Sequence, residues 1–166
     1  MLSTKVQSTL NKQVAAENEA SHLYLSMASW CETEGYAGAA KFLYAHSEEE
    51  REHMMKLFKY INDAGGKAVV APVTKIPTSY KSLLNVFETV LKHELEVTRS
   101  INAIVDLSLK EKDYSTFNFL QWFVAEQHEE ERLFRSVLDL IKLTGQDGKG
   151  LFFADREIEK LLAAKT

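Results

Sequence analysis

The sequence predicts an all-α protein, a four-helix bundle with one long crossover between its second and third helices and a short fifth helix at the C-terminal end. Apolar residues recur in alternating steps of four and three through four long segments, the pattern of one buried helical face. Only seven glycines and two prolines occur in 166 residues, and most fall in a few short stretches between those segments. The chain is 45% hydrophobic and 27% charged, enough apolar material for a substantial core in a soluble protein.

The first segment carries Leu10, Val14, Glu17, Ser21, Tyr24, Ala28 and Cys31 on its seam and ends near Gly35. The second carries Ala39, Phe42, His46, Glu50, His53, Leu57, Tyr60 and Ala64, then stops at Gly65-Gly66, where glycine is the expected C-terminal signal. The third is predicted from about Ser79, with Leu84, Phe87, Leu91, Glu94, Thr98, Ile101, Val105 and Ser108 on its seam. The fourth begins near Asp113, a good N-cap residue, carries Leu120, Phe123, Gln127, Glu130, Phe134, Val137 and Ile141, and stops at Gly145. The bundle therefore covers about 5–144. Residues 146–150 read as a loop and 151–165 as a short helix outside the four-helix bundle, its helical part about 151–164, with apolar residues that either cover the bundle end or contact another subunit.

Loop lengths set the topology. The first and second helices, and the third and fourth, are joined by a few residues each, which makes them antiparallel neighbours. Gly65 to Thr78, with Pro72 and Pro77, lies between the two pairs. Its fourteen residues span at most about 50 Å when extended, just enough to run the length of a helix of about 42 Å. A seam position of the first pair, advanced by 77, lands on a seam position of the second: Glu17 on Glu94, Glu50 on Gln127, His53 on Glu130. The two hairpins thus read as an internal repeat related by a pseudo-two-fold axis.

Polar residues on that axis carry the chemistry. A carboxylate on a buried stripe costs several kcal/mol unless something pairs with it. Here Glu17, Glu50, Glu94, Gln127 and Glu130 share one depth with His53, and Glu50-x-x-His53 puts two donors on one face of one helix. One Glu from each of two helices, with i, i+3 pairs from the other two, is the donor arrangement of dimetal-carboxylate bundles. The oxygen-rich set suits iron or manganese rather than a structural zinc. Glu126, Glu129 and Glu130 share one edge of the fourth helix and Glu49 adjoins Glu50, so a further cation site beside the pair is expected. Tyr24, on the Glu17 seam, reads equally as a core aromatic with a bonded hydroxyl and as a redox-active neighbour, and Trp122 as packing. His46 is expected in the core or behind the ligands rather than among them, and His22, His93 and His128 on the surface.

Composition removes other classes. A net charge of −4 without a basic stripe argues against nucleic acid as a partner. No apolar run approaches a membrane span, the N-terminal residues show no signal-peptide pattern, and Cys31 is the only cysteine. The expectation is a soluble cytoplasmic protein in a reducing compartment.

At these residues the chain resembles the prokaryotic non-haem ferritins, as a single ferritin-like domain over 1–166. Glu17, Tyr24, Glu50-x-x-His53, Glu94 and Gln127-x-x-Glu130 carry the likeness, with the runs at 113–122 and 126–131. The resemblance implies a homo-oligomeric shell of 24 subunits that takes in Fe(II), oxidises it with O2 or peroxide at a ferroxidase centre, and stores ferric mineral. It implies that Glu17, Glu50 and His53 hold one iron, and that Glu50, Glu94 and Glu130 hold a second with Gln127 close by. It further implies a third site at Glu49, Glu126, Glu129 and Glu130, and contacts around a four-fold axis for the last helix. Bacterioferritins also resemble the chain, but carry a second Glu-x-x-His and a haem-binding Met where Arg51 stands here, so no haem is expected. A di-iron enzyme that stores nothing, and a non-catalytic shell subunit, are the competing readings; the complete ligand set disfavours the latter.

Overall fold

The computed structural model describes residues 2–73 and 75–162. It contains α1 (Thr4–Thr33), α2 (Ala37–Asp63), α3 (Leu83–Lys110), α4 (Tyr114–Thr144) and α5 (Gly148–Leu161). Local chemistry starts each helix in turn. The Ser3 hydroxyl accepts from Val6 N at 3.2 Å, Ser82 from Asn85 N at 3.1 Å, and the Asp113 carboxylate from Thr116 N at 3.0 Å. Each satisfies an amide that the helix itself leaves without a partner. The α1–α2 turn bends through Gly35 at φ 89°, and α4 ends at Gly145 at φ 83°, left-handed values that glycine adopts without a steric penalty.

α1 packs along α2 and α3 along α4, and the backbones of α1 and α3 also approach closely. α2 and α4 meet differently, through long side chains. Tyr60 stacks on Phe119 with ring centroids 3.8 Å apart, and Phe42 meets Phe134 edge-on at 6.0 Å. The crossover runs along α1, as its length predicted. Val69 N donates to Asn11 Oδ1 at 2.8 Å near one end, and Ser26 Oγ donates to the Pro77 carbonyl at 2.5 Å near the other.

Two helix starts and one buried face differ from the sequence expectation. α3 starts at Leu83 rather than near Ser79, because Ser82 supplies the cap, while Tyr80 before it packs edge-on against Trp30. The buried stripe of α3 is also offset: Val86, Val90, Val97 and Ile104 are buried where Leu84, Leu91, Thr98 and Val105 had been placed, while Phe87, Glu94, Ile101 and Ser108 hold. α5 begins at Gly148, with Asp147 accepting from Gly150 N at 2.7 Å. Gly150 is helical, and a Cβ there would lie 2.2 Å from the Thr144 carbonyl oxygen, so close approach, rather than a loop, explains the glycine. The expected end of this helix beyond 162 lies outside the described residues.

α5 covers the end of the bundle, one of the two placements expected for it. It lies across the ends of α2 and α4, burying Ala154 and Ile158 in the core and leaving Phe152 and Phe153 exposed. Asp155 binds it to the start of α2, accepting from Gly38 N at 3.0 Å and Ala39 N at 2.7 Å. α2 has no cap of its own, since Tyr36 makes no side-chain cap bond. The bundle interior divides into two apolar clusters, one around Tyr24, Phe42, Phe87 and Phe134, the other around Leu10, Leu57, Ile101 and Phe123. Between them lies a layer of buried polar side chains.

Candidate metal centre

The polar layer comes from all four long helices. Glu17 projects from α1, Glu50 and His53 from α2, Glu94 from α3, and Gln127 and Glu130 from α4. All six are at most 3% exposed. His53 Nδ1 lies 3.3 Å from Glu50 Oε2. The Glu94 carboxylate accepts from the Tyr24 hydroxyl on one oxygen and from Gln127 Nε2, at 2.9 Å, on the other. Among the described residues Glu17 Oε2 and His53 Nδ1 are buried without a hydrogen-bond partner, an uncommon state for interior polar atoms.

Charge explains why this layer suits a cation. Burial, then the charge of Glu50, hold the Glu17 carboxyl well above the usual carboxylate range. Burial and the charge of Glu94 do the same to Glu50. Glu94 is pushed to about 7, chiefly by burial, despite the lowering effect of its bonds from Tyr24 and Gln127. Without a metal these groups keep protons or repel one another, and among the described residues no lysine or arginine is buried with them as a counter-ion. Hard anionic oxygens with one imidazole fit iron or manganese.

Three groups among the described residues place His and carboxylate donor atoms within 4.8 Å of one another: Glu17–Glu50–His53, His46–Glu49–Glu130, and Glu49–His53–Glu126. The first unites residues assigned from the sequence to one ion. The other two bring in Glu49 and Glu126, both partly buried, as the expected neighbouring site requires. Glu129 is exposed and joins none of the three. A cavity of about 460 Å³ lined by Glu49, His53, Lys56, Trp122 and Glu126 opens from this region. Trp122 lines this cavity: it is 39% exposed, meets the His53 ring edge-on at 5.3 Å, and carries Lys56 Nζ 3.8 Å above its own ring.

Tyr24 is fully buried, and burial followed by the charge of Glu94 raises its pKa well above the usual phenol range. It therefore stays protonated and donates. His46 is buried as expected, and His22 and His128 are exposed. His93, expected on the surface, is partly buried beside Tyr24 at 6.0 Å between rings. Burial holds it below the ordinary imidazole value. It shares α3 with Glu94, and the shifted stripe of that helix turns it inward.

Gln13 was not singled out from the sequence. It is completely buried one turn before Glu17, donates from Nε2 to Glu17 Oε1 at 2.8 Å, and accepts from Ser100 Oγ at 2.5 Å. Its i, i+4 spacing from an interior carboxylate was the available signal. Asp155 carried none, since its partner amides are distant in sequence.

A four-helix bundle with a buried carboxylate layer crossing its middle has the arrangement found in dimetal-carboxylate proteins. Comparison with known proteins makes this specific. The model of the ferritin-like domain matches residues 7–144. The chain is 49% identical to a probable bacterial non-heme ferritin-like protein of Haemophilus influenzae, over 97% of this chain and 98% of the relative. It is 47% identical to a bacterial non-heme ferritin of Campylobacter jejuni, over 99% of each. Among solved structures, an open pore ferritin from Archaeoglobus fulgidus superposes with a TM-score of 0.93 at 38% identity, covering 96% of this chain and 98% of that one. A humanized archaeal ferritin gives a TM-score of 0.93 at 37% identity, covering 96% of each. The chain belongs to the ferritin family, on the side of the bacterial non-heme ferritins. None of its described helices is long and apolar enough to cross a membrane.

Proposed function

We propose that the protein is an iron-storage ferritin that oxidises Fe(II) within each chain and holds the product as ferric mineral inside a homo-oligomeric shell of 24 subunits in the cytoplasm. The observation that carries the ferroxidase reading is the buried donor layer, in which Glu17 Oε2 and His53 Nδ1 have no hydrogen-bond partner and the crowded carboxylates are suited to balancing a cation. Fe(II) is the substrate. Glu17, Glu50 and His53 receive one ion and Glu50, Glu94 and Glu130 the other, so that Glu50 spans the two. The donors harden from one side to the other, with the single imidazole on one ion only, so the two irons differ in affinity.

Two Fe(II) each give up one electron, and O2 or H2O2 accepts the pair together with two protons. Anionic oxygens favour the Fe(III) product over Fe(II), which drives the step. Gln127 holds Glu94 by its Nε2 bond, and the Tyr24 hydroxyl holds its other oxygen, so Glu94 is oriented before metal enters. Glu49, Glu126, Glu129 and Glu130 form the expected third region, through which iron leaves the pair. Haem has no part in this reading, because Arg51 stands where the haem-binding methionine of bacterioferritins falls.

Aerobic addition of several hundred Fe(II) per assembly, followed by gel filtration that reads protein and iron together, tests the reading. Iron co-eluting with a very large particle is the expected result. Oxidation that halts near two or three irons per chain, with the excess precipitating, would instead identify a di-iron enzyme that stores nothing.

A further inference from the structure

A chain of hydrogen bonds runs from the buried donor layer to the surface between α3 and α4. Gln127 Nε2 donates to Glu94 Oε2 at 2.9 Å, and lies 3.4 Å from the Glu94 backbone oxygen and 3.5 Å from Thr98 Oγ1. The Thr98 hydroxyl donates to Glu131 Oε1 at 2.8 Å, and Arg135 Nη2 donates to Glu131 Oε2 at 2.9 Å. Thr98, Gln127 and Glu131 line a cleft of about 210 Å³ together with Asn102 and His128. The chain thus begins at the exposed Arg135 and ends on a carboxylate that is 1% exposed.

Each link in it has a direction. A guanidinium only donates and a carboxylate only accepts, so Glu131, paired with Arg135, takes the single proton of the Thr98 hydroxyl. The lone pairs of Thr98 then face Gln127. The NH2 and carbonyl ends of an amide have nearly the same shape, and the acceptors around them decide which way it lies. The Glu94 backbone carbonyl is an acceptor whatever its surroundings. A hydroxyl could serve either way, and here the Glu131–Arg135 pair settles its polarity. At 3.5 Å the Thr98 contact is long, so it acts on the orientation of the amide more than through a strong bond of its own.

We propose that Thr98, its proton held by the Glu131–Arg135 pair, is a positioning residue for the iron centre, fixing the Gln127 amide so that Glu94 meets an N–H. The inference rests on the reading of Glu94 as an iron ligand. An amide turned the other way would set its carbonyl oxygen against the Glu94 carboxylate, two acceptors in contact. Glu94 would then keep only the bond from the Tyr24 hydroxyl. The open cleft makes this control necessary. Water reaching the amide presents a proton or a lone pair with equal ease, whereas Thr98 presents only the lone pair.

Anaerobic Co(II) titration of the assembled protein by calorimetry tests the assignment, with Glu94→Ala marking which equivalent depends on Glu94. Thr98→Val keeps the shape and removes the hydroxyl. It should weaken that equivalent about tenfold, as loss of a ligand-orienting group does, and leave the equivalent that depends on His53 unchanged. Thr98→Ser should restore wild-type affinity, because the hydroxyl alone is required. In a Gln127→Leu background Thr98→Val should cost nothing further, since Thr98 acts through the amide. Light scattering follows shell size, and Thr98→Ala repeats the measurement if valine disturbs assembly. Unchanged affinity in Thr98→Val, no recovery in Thr98→Ser, or an equal loss in the Gln127→Leu background would overturn the assignment. Wild-type protein that takes up no Co(II) would instead remove the iron-centre reading on which it rests.

Discussion

Gln13 Nε2 donates a 2.8 Å hydrogen bond to Glu17 Oε1, and Ser100 in turn holds the Gln13 carbonyl oxygen at 2.5 Å. One carboxylate oxygen is thereby fixed from behind, leaving Glu17 Oε2 directed into the layer without a hydrogen-bond partner. Groups that orient a ligand in this way are worth about 10–100-fold in metal affinity. Gln13→Leu should therefore weaken the tighter Co(II) equivalent by that factor while the assembly keeps its size. Calorimetry against Gln13→Glu, which adds a carboxylate where the donor stood, separates loss of orientation from loss of packing. Unchanged affinity in Gln13→Leu would show that Glu17 needs no such support.

The buried carboxylates destabilise the metal-free fold. Burial and neighbouring charge raise the pKa of Glu50 well above 4.5, so at pH 8 it is held either protonated or repelled. Glu50→Gln removes that cost and should raise the melting temperature of the chelator-treated protein by about 2–4 °C, the shift about 1 kcal/mol produces in a chain of this size. A fall instead would mean that Glu50 makes a favourable contact that the fold requires.

The same charges give stability a pH dependence of definite sign. Burial raises the pKa of Glu94 in the fold to about 7, from an ordinary 4.5. The stabilisation from its protonated form is present in full below about 4.5 and is lost as pH rises through about 7. Metal binding expels those protons and grows stronger over the same range. The gap in melting temperature between metal-loaded and metal-free protein should widen from pH 5 to pH 8. Parallel curves would contradict the raised value.

Asp155 stands in for the cap that α2 lacks, accepting from Gly38 N and Ala39 N. Asp155→Ala should cost about 1–2 kcal/mol, the range for losing an N-cap, and expose α5 to hydrogen exchange. Gly38→Ala tests the same junction from the other side, since its Cβ would lie 2.1 Å from the Asp155 carbonyl oxygen. It should destabilise by about 1–3 kcal/mol through overpacking. Wild-type exchange rates in α5 for both variants would show that the contact is incidental.

Much of this architecture was legible before any coordinates. The steps of four and three placed all four long helices, and Glu17, Glu50, His53, Glu94, Gln127 and Glu130 stood out because charge does not belong on a buried stripe. The 77-residue offset further indicated that they meet. What escaped was set by geometry across helices. The stripe of α3 is offset because Val86, Val90 and Val97, rather than Leu84, Leu91 and Thr98, are buried, and several faces of that helix are apolar enough to serve. Gly148 and Gly150 read as loop because glycine disfavours helix interiors. Only the Thr144 carbonyl, unseen in sequence, shows why the helix needs glycine at Gly150. Asp155 and His46 are ordinary residues until their partners on other helices are known.

The central claim is that Glu50 and His53 hold the iron that is oxidised. Stopped-flow oxidation of two Fe(II) per chain, in wild type and in Glu50→Ala and His53→Ala, with shell size checked by light scattering, tests it most directly. The account predicts fast oxidation in the wild type and rates lower by orders of magnitude in both variants, with the assembly unchanged. Wild-type rates in either variant, in intact shells, would contradict it.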